Sequence, residues 1–210
     1  MKSPNVHLSV QWDPRRESVE HCADKVLSYY RDLGQVSTYF RNWRLTTKSK
    51  PSVDVGNAAT MRGLLLSGQN RRDIGGESIP ELGYAVTLWN GERALTVQSR
   101  VQCGLFSSVG GLKNQCSLVL SYPLARQLGA AVLLDAFKCM IGTWNPDAGS
   151  AYVYSDRDGH EDLDGELETL TLLEFVRHSN GASTAGAEEV TRTTGGMIYR
   201  RESAVREVLG

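Results

Sequence analysis

Carboxylates crowd one stretch of this sequence. From Asp156 to Glu168, seven of thirteen residues are acidic: Asp156, Asp158, Glu161, Asp162, Asp164, Glu166 and Glu168. Oxygen ligands at this density suit a hard divalent cation, and a metal-dependent hydrolase would use them in that way. An EF-hand calcium loop needs a further ligand before its glycine and a closing glutamate after it. Here Gly159 follows the second aspartate at once, and Gly165 stands where that glutamate belongs. Two other readings stand beside the metal. One is a solvated loop whose last acids sit at a helix N-terminus, where the dipole favours them. The other is a docking patch that steers and holds a basic partner. On the docking reading, the candidate partner-binding residues are Asp156, Asp158, Glu161, Asp162, Asp164 and Glu166.

The remaining reactive side chains are dispersed. His7, His21, His160 and His178 have no ligand spacing on a helix, and H-E-x-x-H is absent. No G-x-S-x-G elbow, Walker loop or dinucleotide-binding glycine run occurs, so the sequence names no catalytic residue and no cofactor. Cys22, Cys103, Cys116 and Cys139 form no C-x-x-C pair and read as buried reduced thiols, although a bridge between Cys103 and Cys116 on adjoining strands is conceivable. Trp12, Trp43, Trp89 and Trp144 each fall at the edge of an element; core packing with the indole N–H bonded at the rim accounts for them, and partner hot spots are the alternative.

The elements that must position these groups follow from periodicity. Val6, Leu8, Val10 and Trp12 alternate with His7, Ser9 and Gln11, which predicts a half-buried strand ended by Pro14. Val19, Cys22, Ala23, Val26, Leu27 and Tyr30 fall at helical spacing, so a helix starts near Arg16 to Ser18 and stops at Gly34. Val36, Tyr39, Phe40 and Trp43 keep that period and predict a second short helix. A loop from Thr46 to Val55 follows. Asn57 or Asp54 then caps a third helix that runs to Ser67, with Gly68 as its stop. After a polar loop the period changes to two. Tyr84 to Trp89, an Asn90-Gly91 hairpin turn, Leu95 to Cys103 and Cys116 to Tyr122 make a meander.

Pro123 opens a long helix whose faces are traced by Leu124, Leu128, Ala131, Val132, Asp135 and Cys139, and Trp144-Asn145-Pro146-Asp147 breaks it. Ala151 to Ser155 predicts a strand, Leu167 to Arg177 a helix, Ser179 to Gly186 a mobile polar stretch, Gly196 to Arg200 a last strand and Glu202 to Leu209 a terminal helix. The expected fold is α+β: a mainly antiparallel sheet with a central meander, helices packed on one face, and a single domain over residues 1–210.

Composition bounds the function classes. Hydrophobic residues at 40% and charged residues at 22% are globular proportions. The net charge of −1 leaves no global basic footprint for nucleic acid, although the heavy use of Arg over Lys leaves room for a basic sub-surface. No apolar run approaches the ~18 residues of a spanning helix. The N-terminus lacks an apolar signal core, so a cytoplasmic protein is expected.

Several local patterns then coincide. Trp12-Asp13-Pro14-Arg15-Arg16-Glu17-Ser18 with Cys22-Ala23 and Leu27 resembles the opening of the immunity protein 52 family. Leu64 to Asp73, Leu82-Gly83-Tyr84 and Leu88-Trp89-Asn90-Gly91 resemble its middle. Cys103-Gly104, Asn114, Leu118-Val119-Leu120, Trp144-Asn145-Pro146-Asp147 with Ser155, and Gly195-Gly196-Met197-Ile198 resemble its later blocks. The resemblance spans nearly the whole chain, with no clear match over Arg157 to Glu168 or Ser179 to Glu189. It implies an antitoxin of a bacterial polymorphic-toxin or type VI secretion locus, which binds a cognate toxin protein, often a nuclease effector of restriction-endonuclease fold. It also implies that the chain is not an enzyme and touches neither nucleic acid nor membrane directly. A regulatory adaptor of some non-toxin protein is a rival reading from another class.

Overall fold

A computed structural model describes residues 4–47, 49, 51–107, 111–154, 170–177, 189–193 and 196–209. The chain is α+β, as its periodicities predict. Its strands are β1 (Asn5–Trp12), β2 (Trp43–Leu45), β3 (Ser52–Val53), β4 (Tyr84–Trp89), β5 (Val97–Cys103), β6 (Asn114–Ser121), β7 (Ala148–Tyr154), β8 (Leu170–Arg177), β9 (Glu189–Arg192) and β10 (Gly196–Arg200). They join into one ten-stranded sheet in the order β3-β2-β4-β5-β6-β1-β7-β8-β10-β9. Every pairing is antiparallel. The first strand is thus central. Leu8 lies opposite Leu118 on one side and Ala151 on the other, and Val6, Leu8, Val10 and Trp12 are all buried.

Four helices cover one face: α1 (Val19–Val36), α2 (Ala58–Ser67), α3 (Tyr122–Trp144) and α4 (Glu202–Leu209). Ser18 caps α1 by accepting from the His21 N–H at 3.2 Å, and Asn57 caps α2 by accepting from Thr60 at 3.0 Å. Each such cap contributes about 1 kcal/mol. The Tyr30 hydroxyl donates to Ser99 on β5 at 3.1 Å, which ties α1 to the sheet interior. In α3 the buried face changes across a kink. Gly129 has φ +75°, and this kink resets the helical phase, so the buried residues are Leu124 and Ala125 before it and Leu133, Ala136, Phe137, Met140, Ile141 and Trp144 after it.

Three local expectations are corrected. Residues 36–45 do not form a second helix. Ser37 is extended, its side chain accepts from the Tyr39 N–H, and a 3-10 turn over Thr38–Phe40 leads into β2. One such turn followed by a strand points Phe40 and Trp43 inward at three-residue spacing, which mimics a helix. Residues 170–177 are a strand, not a helix. Ala151 pairs with Leu173 while Tyr152 pairs with Thr171, so Leu172 is the extra residue of a bulge. Both Leu172 and Leu173 are consequently buried, and two adjacent inward leucines break the alternation a strand would show. The β4–β5 hairpin forms without a two-residue turn. The Asn90 N–H bonds to the Val97 carbonyl, and its side chain accepts from Glu92 and Val97 and donates to Leu95, which stabilises a loop over 90–96. The Ser179 to Gly186 stretch lies outside the described residues.

Trp12-Asp13, Asn114 and Trp144-Asn145-Pro146-Asp147 meet at one end of the sheet. Trp12 stacks on Trp144 with ring centroids 5.0 Å apart and planes 11° from parallel. The Asp147 carboxylate accepts from the Asp13 N–H at 2.8 Å and pairs with Arg177 at 3.0 Å, while the Asp147 N–H bonds to the Gln11 carbonyl. Arg177 also donates to the carbonyls of Asn145 and Pro146, and Arg15 donates to that of Trp144. Buried Asn114 accepts from the Leu105 N–H at 2.9 Å and donates to the carbonyls of Leu105 and Asp13. Replacing Asn114 with Ala would strand the buried Leu105 N–H. Urea unfolding is expected to show a loss on the order of 1–3 kcal/mol, with the midpoint falling and the slope unchanged.

Candidate partner-binding surface

The side chains that alternate with the buried ones form a second sheet face, and none of the four helices packs on it. Its composition follows from register. One row across the strands reads Trp89, Gln98, Val119, His7, Tyr152 and Thr171. The next reads Thr87, Arg100, Ser117, Ser9, Ser150 and Glu174. A third reads Ala85, Gln102, Gln115, Gln11 and Ala148. Hydroxyls and amides dominate, with Arg100 and Glu174 towards opposite ends of the serine row. Such a face presents many neutral hydrogen-bond donors and acceptors.

An aromatic group stands on this face. The His7 ring meets Tyr152 edge-on at 4.9 Å, and Tyr154 lies 6.2 Å from Tyr152. The His7 Nδ1 is hydrogen-bonded to the Tyr152 hydroxyl, and burial pushes the imidazole below its ordinary 6.5. A shallow hollow of about 330 Å³ lies beside it, lined by Ser9, Gln11, Ser150, Glu174 and Arg201 among others. Of these residues the sequence puts His7, Ser9 and Gln11 on the polar side of a strand, whereas it reads Glu174 as part of a helix. The polar members of β1's alternation were visible, but which strands flank them was not.

Asp156, Asp158, Glu161, Asp162, Asp164 and Glu166 lie outside the described residues, as do His160 and His178. Tyr154, the last described residue before them, pairs with Asn5 at the end of the sheet opposite the tryptophan stack. His21 sits in an ion cluster instead of a catalytic one. It, Arg15 and Lys25 all surround the Glu17 carboxylate, at 3.4, 3.2 and 3.1 Å. Among the described residues, no group of three His, Cys, Asp or Glu side chains could hold a metal ion.

All four cysteines are free thiols. The bridge considered between Cys103 and Cys116 does not form, because Cys116 lies opposite Val101 and Cys103 is hydrogen-bonded with Cys22. That bond and burial push the Cys103 thiol well up, burial does the same to Cys116, and burial followed by the Asp32 charge raises Cys139 to about 12. Three tryptophans are core residues. Trp89 is half-buried, and its indole N–H donates to the Leu45 carbonyl at 3.1 Å.

The family model described as immunity protein 52 matches residues 7–167. Among solved structures, a T6SS protein of Pseudomonas aeruginosa is similar with a TM-score of 0.55 at 10% identity, over 94% of this chain and 68% of that one. At that identity the likeness is one of fold. No curated protein matches the chain.

Two outcomes follow from the protonation chemistry. Because the folded His7 titrates below 6.5, the unfolded chain takes up the proton first on acidification. Stability present above 6.5 is therefore lost as pH falls through the depressed value. The drop in melting temperature between about pH 7.5 and about pH 5 should shrink in His7→Gln, and an unchanged drop would refute the assignment. For the thiols, Ellman's reagent at neutral pH should find almost no fast-reacting group in the native protein and four after denaturation.

Proposed function

The chain belongs to the immunity protein 52 family, and on that premise we propose that it captures a cognate secreted toxin one-to-one and disarms it without making or breaking covalent bonds. The toxin on this reading is a nuclease effector of restriction-endonuclease fold, and the capture takes place in the cytoplasm of the producing cell and its kin. The observation that carries the reading is the family match over residues 7–167. The helix-free, amide- and hydroxyl-rich sheet face supports it, because tight neutralisation needs an interface above ~1,000 Å² with a few aromatic or Arg anchors. No helix among the described residues is long and apolar enough to cross a membrane.

A nuclease cleft is basic where it holds phosphates. The acidic side chains of Asp156, Asp158, Glu161, Asp162, Asp164 and Glu166 are the proposed complement to it. They would cover the cleft and steer the approach of the two proteins, so their contribution should weaken with salt.

Co-expression with the product of the neighbouring toxin gene tests the reading as a whole. Growth rescue together with a co-purifying complex is expected, whereas toxicity that persists beside a well-folded immunity chain would overturn it. For the acidic segment, exchanging the six carboxylates for Asn or Gln should lower toxin affinity by about tenfold or more at low salt and flatten its salt dependence. Equal affinity and equal slope would remove the segment from the interface.

A further inference from the structure

The β2–β3 end of the sheet holds a concavity of about 560 Å³ whose lining carries three arginines, Arg41, Arg44 and Arg93, against one carboxylate, Glu92. All four side chains are exposed. Trp89 forms part of the wall, its ring fixed by the bond to Leu45. Arg41 is oriented by donation from its Nε to the Gly34 carbonyl at 2.9 Å, where α1 ends. Arg44 lies against the hairpin backbone. Gly91 has φ +85°, and a Cβ there would stand 2.8 Å from the Arg44 Nε, so only glycine gives both the turn and the space for that guanidinium. The concavity is continuous with the helix-free face. Trp89 also borders the neighbouring hollow, which reaches Asn5, Val119 and Tyr154.

We propose that this concavity is a docking point for an acidic segment of a partner protein, and, resting on the reading above, that the partner is the toxin. Planar guanidinium forks pair with carboxylates in bidentate fashion, and Trp with Arg is the composition of interface hot spots. A protein fits better than a nucleic acid. A phosphate track wants a run of cations, whereas Glu92 interrupts this rim and the chain as a whole carries a charge of −1.

The test measures binding to a catalytically inactive form of the neighbouring toxin. The Arg44→Glu/Arg93→Glu double variant is expected to bind on the order of a hundredfold more weakly. Arg44→Lys/Arg93→Lys, which keeps charge and loses the fork, should fall between that variant and the wild type. Arg31→Glu/Arg62→Glu, the same charge change on the helices, should bind within about threefold of wild type. Hydrogen exchange on the wild-type complex needs no variant and should show protection over residues 41–44 and 89–93. Unchanged affinity of the Glu double variant, or unchanged exchange over those residues, overturns this inference and leaves the toxin reading intact. A wild-type chain that does not bind the toxin overturns both. A single-stranded oligonucleotide that the wild type binds and the Glu double variant releases would reassign the concavity to nucleic acid and overturn the proposal.

Discussion

The stack of Trp12 on Trp144 joins the end of the central strand to the end of the longest helix, and the rest of the architecture hangs on that junction. Its rings are fully desolvated, so they supply apolar burial and a fixed geometry together. Both indole N–H groups are buried without a hydrogen-bond partner among the described residues, while the polar groups around the rings tie distant segments together. Asp147 accepts from the backbone at Asp13, Arg177 closes the loop after α3, and Asn114 draws the start of β6 onto the chain leaving β1. Four segments far apart in sequence are thereby clamped at one point.

With that end closed, the sheet presents two chemically different faces. The helical side holds the whole of the large apolar core, from Val6 and Leu8 in the centre to Ile198 near one edge. The other side is written in Ser, Gln, Tyr and Arg. A sheet central enough to pair β1 on both edges could carry apolar residues on both faces, as strands sandwiched between layers do. Here the strict alternation in β1 gives a polar character to the face that the described helices leave uncovered.

Charge is distributed with the same economy. The half-buried cations Arg15 and Lys25 pair with Glu17 at the start of α1, whereas Arg41, Arg44 and Arg93 gather at the opposite end, exposed and close to Trp89. The net charge near zero hides this separation. A concavity with three arginines and one glutamate is a local basic site rather than an extended basic track.

By itself the sequence determined what depends on local chemistry: the alternating strands β1, β4 and β5, the Asn57-capped helix with its Gly68 stop, the break after Trp144, and the α+β class. Its motifs pointed to the immunity protein 52 family without revealing that Trp12, Asp13, Asn114 and Trp144 to Asp147 build one structural clamp. Tertiary structure decided the rest. The kink at Gly129 chose the inward face of α3, the bulge at Leu172 made a strand of a helix-like pattern, and pairing converted Trp43 to Leu45 into a strand. The surface rows and the arginine concavity likewise exist only once distant strands lie side by side. Periodicity records which residues turn inward, whereas neighbours across a sheet are set by long-range hydrogen bonding that no local window contains.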